Sequence, residues 1–140
     1  MDIAINYWAV VACGVVSMVV GGIWYGPLFG KKWMEICEVD VSDIEARKKM
    51  QKEAMPLYAV QFLLVLFQVY VLAHFIAAWE DNAPVSTALW IAAAFVIPTI
   101  ASASMWTNEA SKIKWARFLI QAGYNLVMFV IFAMILTAWQ

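Results

Sequence analysis

The sequence predicts an all-α, polytopic membrane protein: one domain over 1–140 in which four helices cross the lipid, with a short cytoplasmic helix between the first two. Three observations carry this expectation. Of the 140 residues, 65% are hydrophobic and 14% charged, where soluble domains sit at roughly 45–50% and about 25%. A chain this small cannot hide so much apolar surface in its own interior. Second, four stretches hold no Asp, Glu, Lys or Arg: 3–30, 54–79, 82–108 and 118–140, of 28, 26, 27 and 23 residues. Each exceeds the roughly 20 residues that a helix needs to cross about 30 Å of hydrocarbon, and none alternates in the short segments of a membrane barrel. Third, all nine basic residues fall in two groups, Lys31, Lys32, Arg47, Lys48, Lys49 and Lys52, then Lys112, Lys114 and Arg117. Together these exclude a soluble enzyme, a disordered tail and a basic nucleic-acid-binding domain.

The spans are expected at about 4–26, 56–79, 84–107 and 116–139. The first is not a secretory leader by pattern: Asp2 precedes it, no cation comes before Lys31, and its apolar run exceeds the 7–15 residues of a signal core. It is read as a retained helix. Within it Cys13, Ser17 and Gly21, beside Gly14 and Gly22, form a ladder of small residues at four-residue spacing. Such ladders let helix backbones approach where lipid supplies no hydrophobic drive, and this one motivates a homo-oligomer.

The cytoplasmic insertion at 31–55 carries six basic and six acidic residues. Ser42 with Glu45 reads as a capping box, Asp43 sits in the first turn, and Glu45 and Lys49 are spaced to pair, so a helix from Asp43 to Met55 is expected. The segment is read as a solvated connector, the alternative being a gate or docking element. Pro56 then opens the second span or bends the junction. In that span Gln61 and Gln68 share a face, and His74 lies five residues from Trp79, with Tyr70 one turn earlier as its expected partner. The third span holds Thr99, Ser102 and Ser104, and Pro98 deprives the Ala94 carbonyl of its donor, which predicts a kink. The fourth holds Gln121 and Asn125 on one face.

Cations stay on the cytoplasmic side during insertion. Both termini are therefore expected outside, with Asp2, Glu80 and Asp81, and loops 26–55 and 108–116 in the cytoplasm. Trp8, Trp24, Trp33, Trp79, Trp90, Trp106, Trp115 and Trp139 all fall near expected span ends or in a connection, where indoles anchor at the headgroup level. Trp8, Trp24 and Trp33 map onto Trp90, Trp106 and Trp115 with a shift of 82. Gln61, Leu66, Ala73 and Trp79 map onto Gln121, Leu126, Ala133 and Trp139 with a shift of 60. Two parallel two-helix repeats are one explanation; equal membrane thickness is the other.

No acidic or basic group lies at mid-membrane depth, which argues against a proton-coupled pump. An amide facing lipid leaves its hydrogen bonds unmade, so Gln61, Gln68, Gln121, Asn125, Ser17, Thr99 and Ser102 are expected to turn inward. They serve either as interhelical contacts or as a polar path for a small polar solute. Cys13 and Cys37 are too far apart in setting for a disulfide or a metal cluster, and one histidine makes no multi-histidine metal site. Neither a zinc-protease nor a hydrolase signature occurs. No metal, cofactor or catalytic residue is expected; an intramembrane enzyme would need His74. The expected partners are membrane lipid and a second copy of the chain.

Residues 22–34 (GIWYGPLFGKKWM) and 118–126 (FLIQAGYNL) resemble the bacterial membrane-protein family called domain of unknown function 1761. There a Trp-Tyr pair, a proline, a Phe-Gly-Lys run and a further Trp close the first helix, and a Gly-Tyr follows a polar residue in the fourth. Gln121 stands where that family often has Asn. The resemblance covers nearly the whole chain and implies a four-helix inner-membrane protein, with no activity and no functional residues to carry over. Physically, Gly26 and Pro27 are expected to end the first helix, with Lys31 and Lys32 meeting anionic headgroups.

Overall fold

The computed structural model describes residues 3–79 and 81–139. Helix α1 (Tyr7–Ile23) continues as a π turn over Trp24–Leu28, followed by α2 (Gly30–Ile36), α3 (Ile44–Ala78) and α4 (Pro84–Ile91). A second π turn (Ala92–Val96) joins α4 to α5 (Ile97–Met105), and α6 (Ser111–Ala138) completes the chain. Four of these runs, Tyr7–Leu28, Ile44–Ala78, Pro84–Met105 and Ser111–Ala138, are long and apolar enough to cross a membrane. The first and third lie within charge-free stretches, while the second and fourth begin earlier and take in the charged residues from Glu45 to Glu53 and from Lys112 to Arg117. Asp2 and Glu80, expected on the outer side, lie outside the described residues.

The core forms where α1 and α6 meet their neighbours. α1 packs on α3 and on α6, α6 packs on α4 and α5, and α3 also meets α4 and α6. Phe129, Phe132 and Met128 of α6 are buried with Val69 and Leu72 of α3, Ala9 and Cys13 of α1 and Ala88 of α4. All buried residues of α3 lie in its second half, from Val65 to Ile76. The small-residue ladder faces inward: Cys13 is 0% and Ser17 2% exposed. A Cβ on Gly14 would come within 2.8 Å of Leu66 and Phe62 of α3. The ladder is thus consumed in packing α1 within its own chain, and it offers no surface to a second copy.

The caps explain several boundaries. The side chain of Asn6 accepts from the N–H groups of Trp8 and Ala9 and so starts α1, while its amide donates to the Trp139 carbonyl at 2.7 Å, tying the two ends of the chain together. α2 ends in a Schellman motif, with Val39 N–H to the Met34 carbonyl, Glu38 N–H to the Glu35 carbonyl, and Glu38 in the left-handed region at φ 58°.

Three expectations for 31–55 need correction. The N-cap of α3 is Asp43, whose carboxylate accepts from Glu45 and Ala46, and not Ser42. Ser42 instead donates both its hydroxyl and its N–H to Asp40, which holds the Asp40 carboxyl below its usual range. Lys49 approaches Glu53 at 3.9 Å rather than Glu45; such exposed pairs contribute little. Finally, the helix expected over 43–55 is not separate from the second span, and the short helix between the first two spans is α2 instead. α3 runs unbroken for 35 residues with Pro56 inside it. Residues 44–55 are strong helix formers, and the carbonyl that Pro56 leaves without a donor belongs to solvent-exposed Lys52.

Gly26 and Pro27 do not end the first span as expected; they widen it. Within the π turn the Phe29 N–H reaches back five residues to the Trp24 carbonyl at 3.0 Å. The irregularity expected at Pro98 also takes this form: the π turn directly precedes it, with the Ile97 N–H bonded to the Ala92 carbonyl. The Thr99 hydroxyl donates to the Phe95 carbonyl at 2.6 Å.

Candidate functional site

The π turn at the end of α1 projects two aromatic side chains toward α6. The Trp24 indole N–H donates to the Ile120 carbonyl at 3.0 Å, and the Tyr124 hydroxyl donates to the Ser17 carbonyl at 2.8 Å. These two bonds run in opposite directions between the helices. Glycines make the space: a Cβ on Gly21 would stand 3.3 Å from the Tyr124 hydroxyl, and one on Gly123 would stand 3.1 Å from the Trp24 ring. Tyr25 meets Tyr124 at 5.6 Å and Trp33 of α2 edge-on at 4.8 Å between ring centroids, while Trp24 meets Phe29 at 5.0 Å. Five rings from α1, α2 and α6 thus form one cluster at the end of the bundle that carries the basic loops.

Polar side chains lie beyond it. Arg117 of α6 pairs with Glu109 in the 106–110 connection, and both are about three-quarters buried. The Thr107 hydroxyl is shared between Glu109 and the Ser104 carbonyl, and Lys114 donates to the Met105 carbonyl at 3.0 Å. This clamps the end of α5 to the start of α6. Cys37, just past α2, feels both charges. Burial pushes its thiol up, Arg117 lowers it by less, and Glu109 raises it further. A raised value means less thiolate at a given pH, and thiolate is the reacting species. Alkylation of Cys37 by iodoacetamide should therefore run slower at pH 7 than for a free thiol, slow further in Arg117→Gln and quicken in Glu109→Gln. Equal rates in all three proteins would contradict this placement.

Residues 8–137 match the family described as a protein of unknown function, DUF1761. The chain belongs to that family. No curated protein and no solved structure matches it. The two segments that carry the DUF1761 resemblance, 22–34 and 118–126, supply opposite walls of the aromatic cluster, so residues far apart in the chain meet as one unit.

The polar residues singled out in this DUF1761 sequence are not brought together in that way. Gln61 is exposed. Gln68 is half-buried and lines a groove with Leu72 and Ile91. The Asn125 amide donates to the Gln121 carbonyl of its own helix at 2.9 Å. The Ser17 hydroxyl bonds the Gly14 carbonyl, also within its helix. Thr99 and Ser102 line a shallow open depression with Pro98 and Trp106. His74 Nδ1 lies 2.9 Å from the backbone carbonyl of Tyr70, with the two rings edge-to-face at 4.5 Å. A carbonyl only accepts, so that ring nitrogen carries the proton.

Among the tryptophans, Trp8, Trp90 and Trp106 are strongly exposed and Trp79, Trp115 and Trp139 are about half exposed, as interface residues would be. Trp24 and Trp33 are half-buried in the aromatic cluster instead. Sequence reasoning missed Asn6 and the Glu109–Arg117 pair. An Asn directly before an apolar run is a cap signal that would have found the first.

Proposed function

We propose that this DUF1761 chain is a non-enzymatic, multi-pass component of the bacterial cytoplasmic membrane that self-associates or serves as an accessory subunit. One observation carries this reading: the polar atoms at the centre of the family segments, the Trp24 N–H and the Tyr124 hydroxyl, are bonded to backbone carbonyls that join α1 to α6. A segment committed to holding helices together acts as scaffold. The gathering of all nine cations in two connections supports both termini outside, with loops 26–55 and 108–116 in the cytoplasm. The paired tryptophan spacings support two parallel hairpin repeats.

With the small ladder buried, self-association needs another surface. The outer stripe of α1 offers one: Val11, Val15 and Val19 are exposed, and a Cβ on Gly22 would meet nothing within 4 Å. The scatter of Gln61, Gln68, Gln121 and Asn125 weighs against a path for a small polar solute. Mass measurement in lipid nanodiscs tests the reading. A dimer or larger assembly that Val15→Trp disrupts is expected; a strict monomer in lipid, together with solute flux in liposomes that Gln68→Leu or Asn125→Leu abolishes, would replace it with a transporter.

A further inference from the structure

Three lysines stand close to the apolar boundary, each on a different element. Lys31 is the second residue of α2, whose buried Gly30 and Ile36 hold it against the end of the bundle. Lys52 precedes Pro56 by about one turn, roughly 6 Å along α3. Lys112 is the second residue of α6, one turn before the half-exposed Trp115. All three are exposed. None has an ion pair or a side-chain hydrogen bond among the described residues, whereas their neighbours are matched. Lys32 pairs with Glu35 at 3.3 Å, Lys49 approaches Glu53 at 3.9 Å, Arg117 pairs with Glu109, and Lys114 donates to the Met105 carbonyl.

The remaining carboxylates are mostly carried away from this level. Because α3 runs unbroken through Pro56, its N-cap Asp43 lies about 20 Å along the helix from that proline, and Glu45 about 16 Å. Asp40 precedes them and is engaged by Ser42. Only Glu38, just past α2, stays near the lysines without a cation among the described residues. A separate helix folded back along the surface would have laid all these carboxylates beside the lysines. At the end of α3 they lie well beyond the screening length of about 8 Å. The 31–55 segment is thus neutral by composition and positive at the boundary by structure. The layer of a bilayer at that level is about 5–7 Å of headgroups, and its anions are lipid phosphates. A second copy inserted the same way brings its own three lysines to the same height, so it supplies no counter-charge there.

We infer that Lys31, Lys52 and Lys112 form a positive rim that gathers anionic phospholipid, of the phosphatidylglycerol class, at the end of the bundle that carries the basic connections. A lysine stem lies along apolar surface while its ammonium reaches the phosphate. Each such cation favours an anionic headgroup about fivefold. The rim is complete in one copy, so it does not depend on self-association.

The test uses the full chain in phosphatidylcholine nanodiscs with a trace of spin-labelled phosphatidylglycerol or phosphatidylcholine of the same chains. The motionally restricted fraction reads lipid held against the protein. At about 0.1 M salt phosphatidylglycerol should be favoured about threefold, the mean of about fivefold on one leaflet and none on the other. The preference should vanish near 1 M salt, where the screening length is about 3 Å. Lys52→Gln with Lys112→Gln should remove most of it, and adding Lys31→Gln the rest. Arg47→Gln with Lys48→Gln removes the same charge about 12 Å or more along α3 from Pro56 and should leave it intact. No preference, a preference that survives high salt, or equal losses in the two double variants overturns the inference. Binding of poly-glutamate without any lipid preference would give the rim to an acidic protein instead. Displacement of the labelled lipid by inorganic phosphate at constant ionic strength would give it to a soluble anion, which also overturns it.

Discussion

Trp24→Ala is expected to cost about 3 kcal/mol of unfolding free energy, the low end of the range for truncating an aromatic side chain, since Trp24 is half-buried. Trp24 touches Phe29 and Tyr124 and fills the space that Gly123 leaves beside it. Its removal opens a gap between α1 and α6 and strands the Tyr124 ring. Lipid tails are as apolar as the packed interior, so part of the transfer loss is recovered and the effect stays at the low end. Trp24→Phe separates the two contributions. It keeps a ring and loses only the N–H donated to Ile120, and such bonds in membranes average about 0.6 kcal/mol. Reversible unfolding in mixed micelles reads both. A Trp24→Ala loss below about 1 kcal/mol, in the range of surface changes, would mean that the cluster does not join the helices.

The second large effect comes from a glycine. Gly30→Ala should destabilise by about 1–3 kcal/mol, as overpacking does, whereas Gly26→Ala should be neutral or slightly stabilising. Both glycines lie in the same family segment. A Cβ at Gly30 would stand 2.9 Å from the Tyr25 backbone oxygen, which cannot swing aside as a side chain can. A Cβ at Gly26 would meet nothing within 4 Å. No glycine in the described chain has positive φ, so space and not backbone freedom separates the two. The same unfolding measurement distinguishes them, and equal effects would contradict the close approach of α2 to the π turn.

Much of this fold was legible because charge is so costly in hydrocarbon that its absence outlines each span. The disturbance ahead of Pro98 followed from a missing N–H, and the His74–Tyr70 contact from one helical turn. Three features were not legible, for separate reasons. Spacing shows that Gln61 and Gln68 share a face of α3 but not which way that face turns. The buried residues of α3 begin only at Val65, and Gln61 lies before them, exposed. The ladder of Cys13, Ser17 and Gly21 announces a close helix contact without naming the partner, and the partners are α3 and Tyr124 of the same chain. Tryptophan looks alike in sequence at an interface and in a helix contact: Trp24 and Trp106 both lie near the end of an apolar span, yet Trp106 is 84% exposed while Trp24 bonds a neighbouring helix. The continuity of α3 was hidden by Pro56, since a proline forbids one hydrogen bond without dictating that a helix must stop.

That continuity has a mechanical consequence. α3 is one stiff rod, and its charged stretch before Pro56 extends about 18 Å from the apolar part. Spans adapt to thinner or thicker bilayers by changing their inclination. A swing of about 10° would carry the charged tip near Arg47 and Lys48 sideways by about 3 Å, turning membrane thickness into a displacement readable from the water.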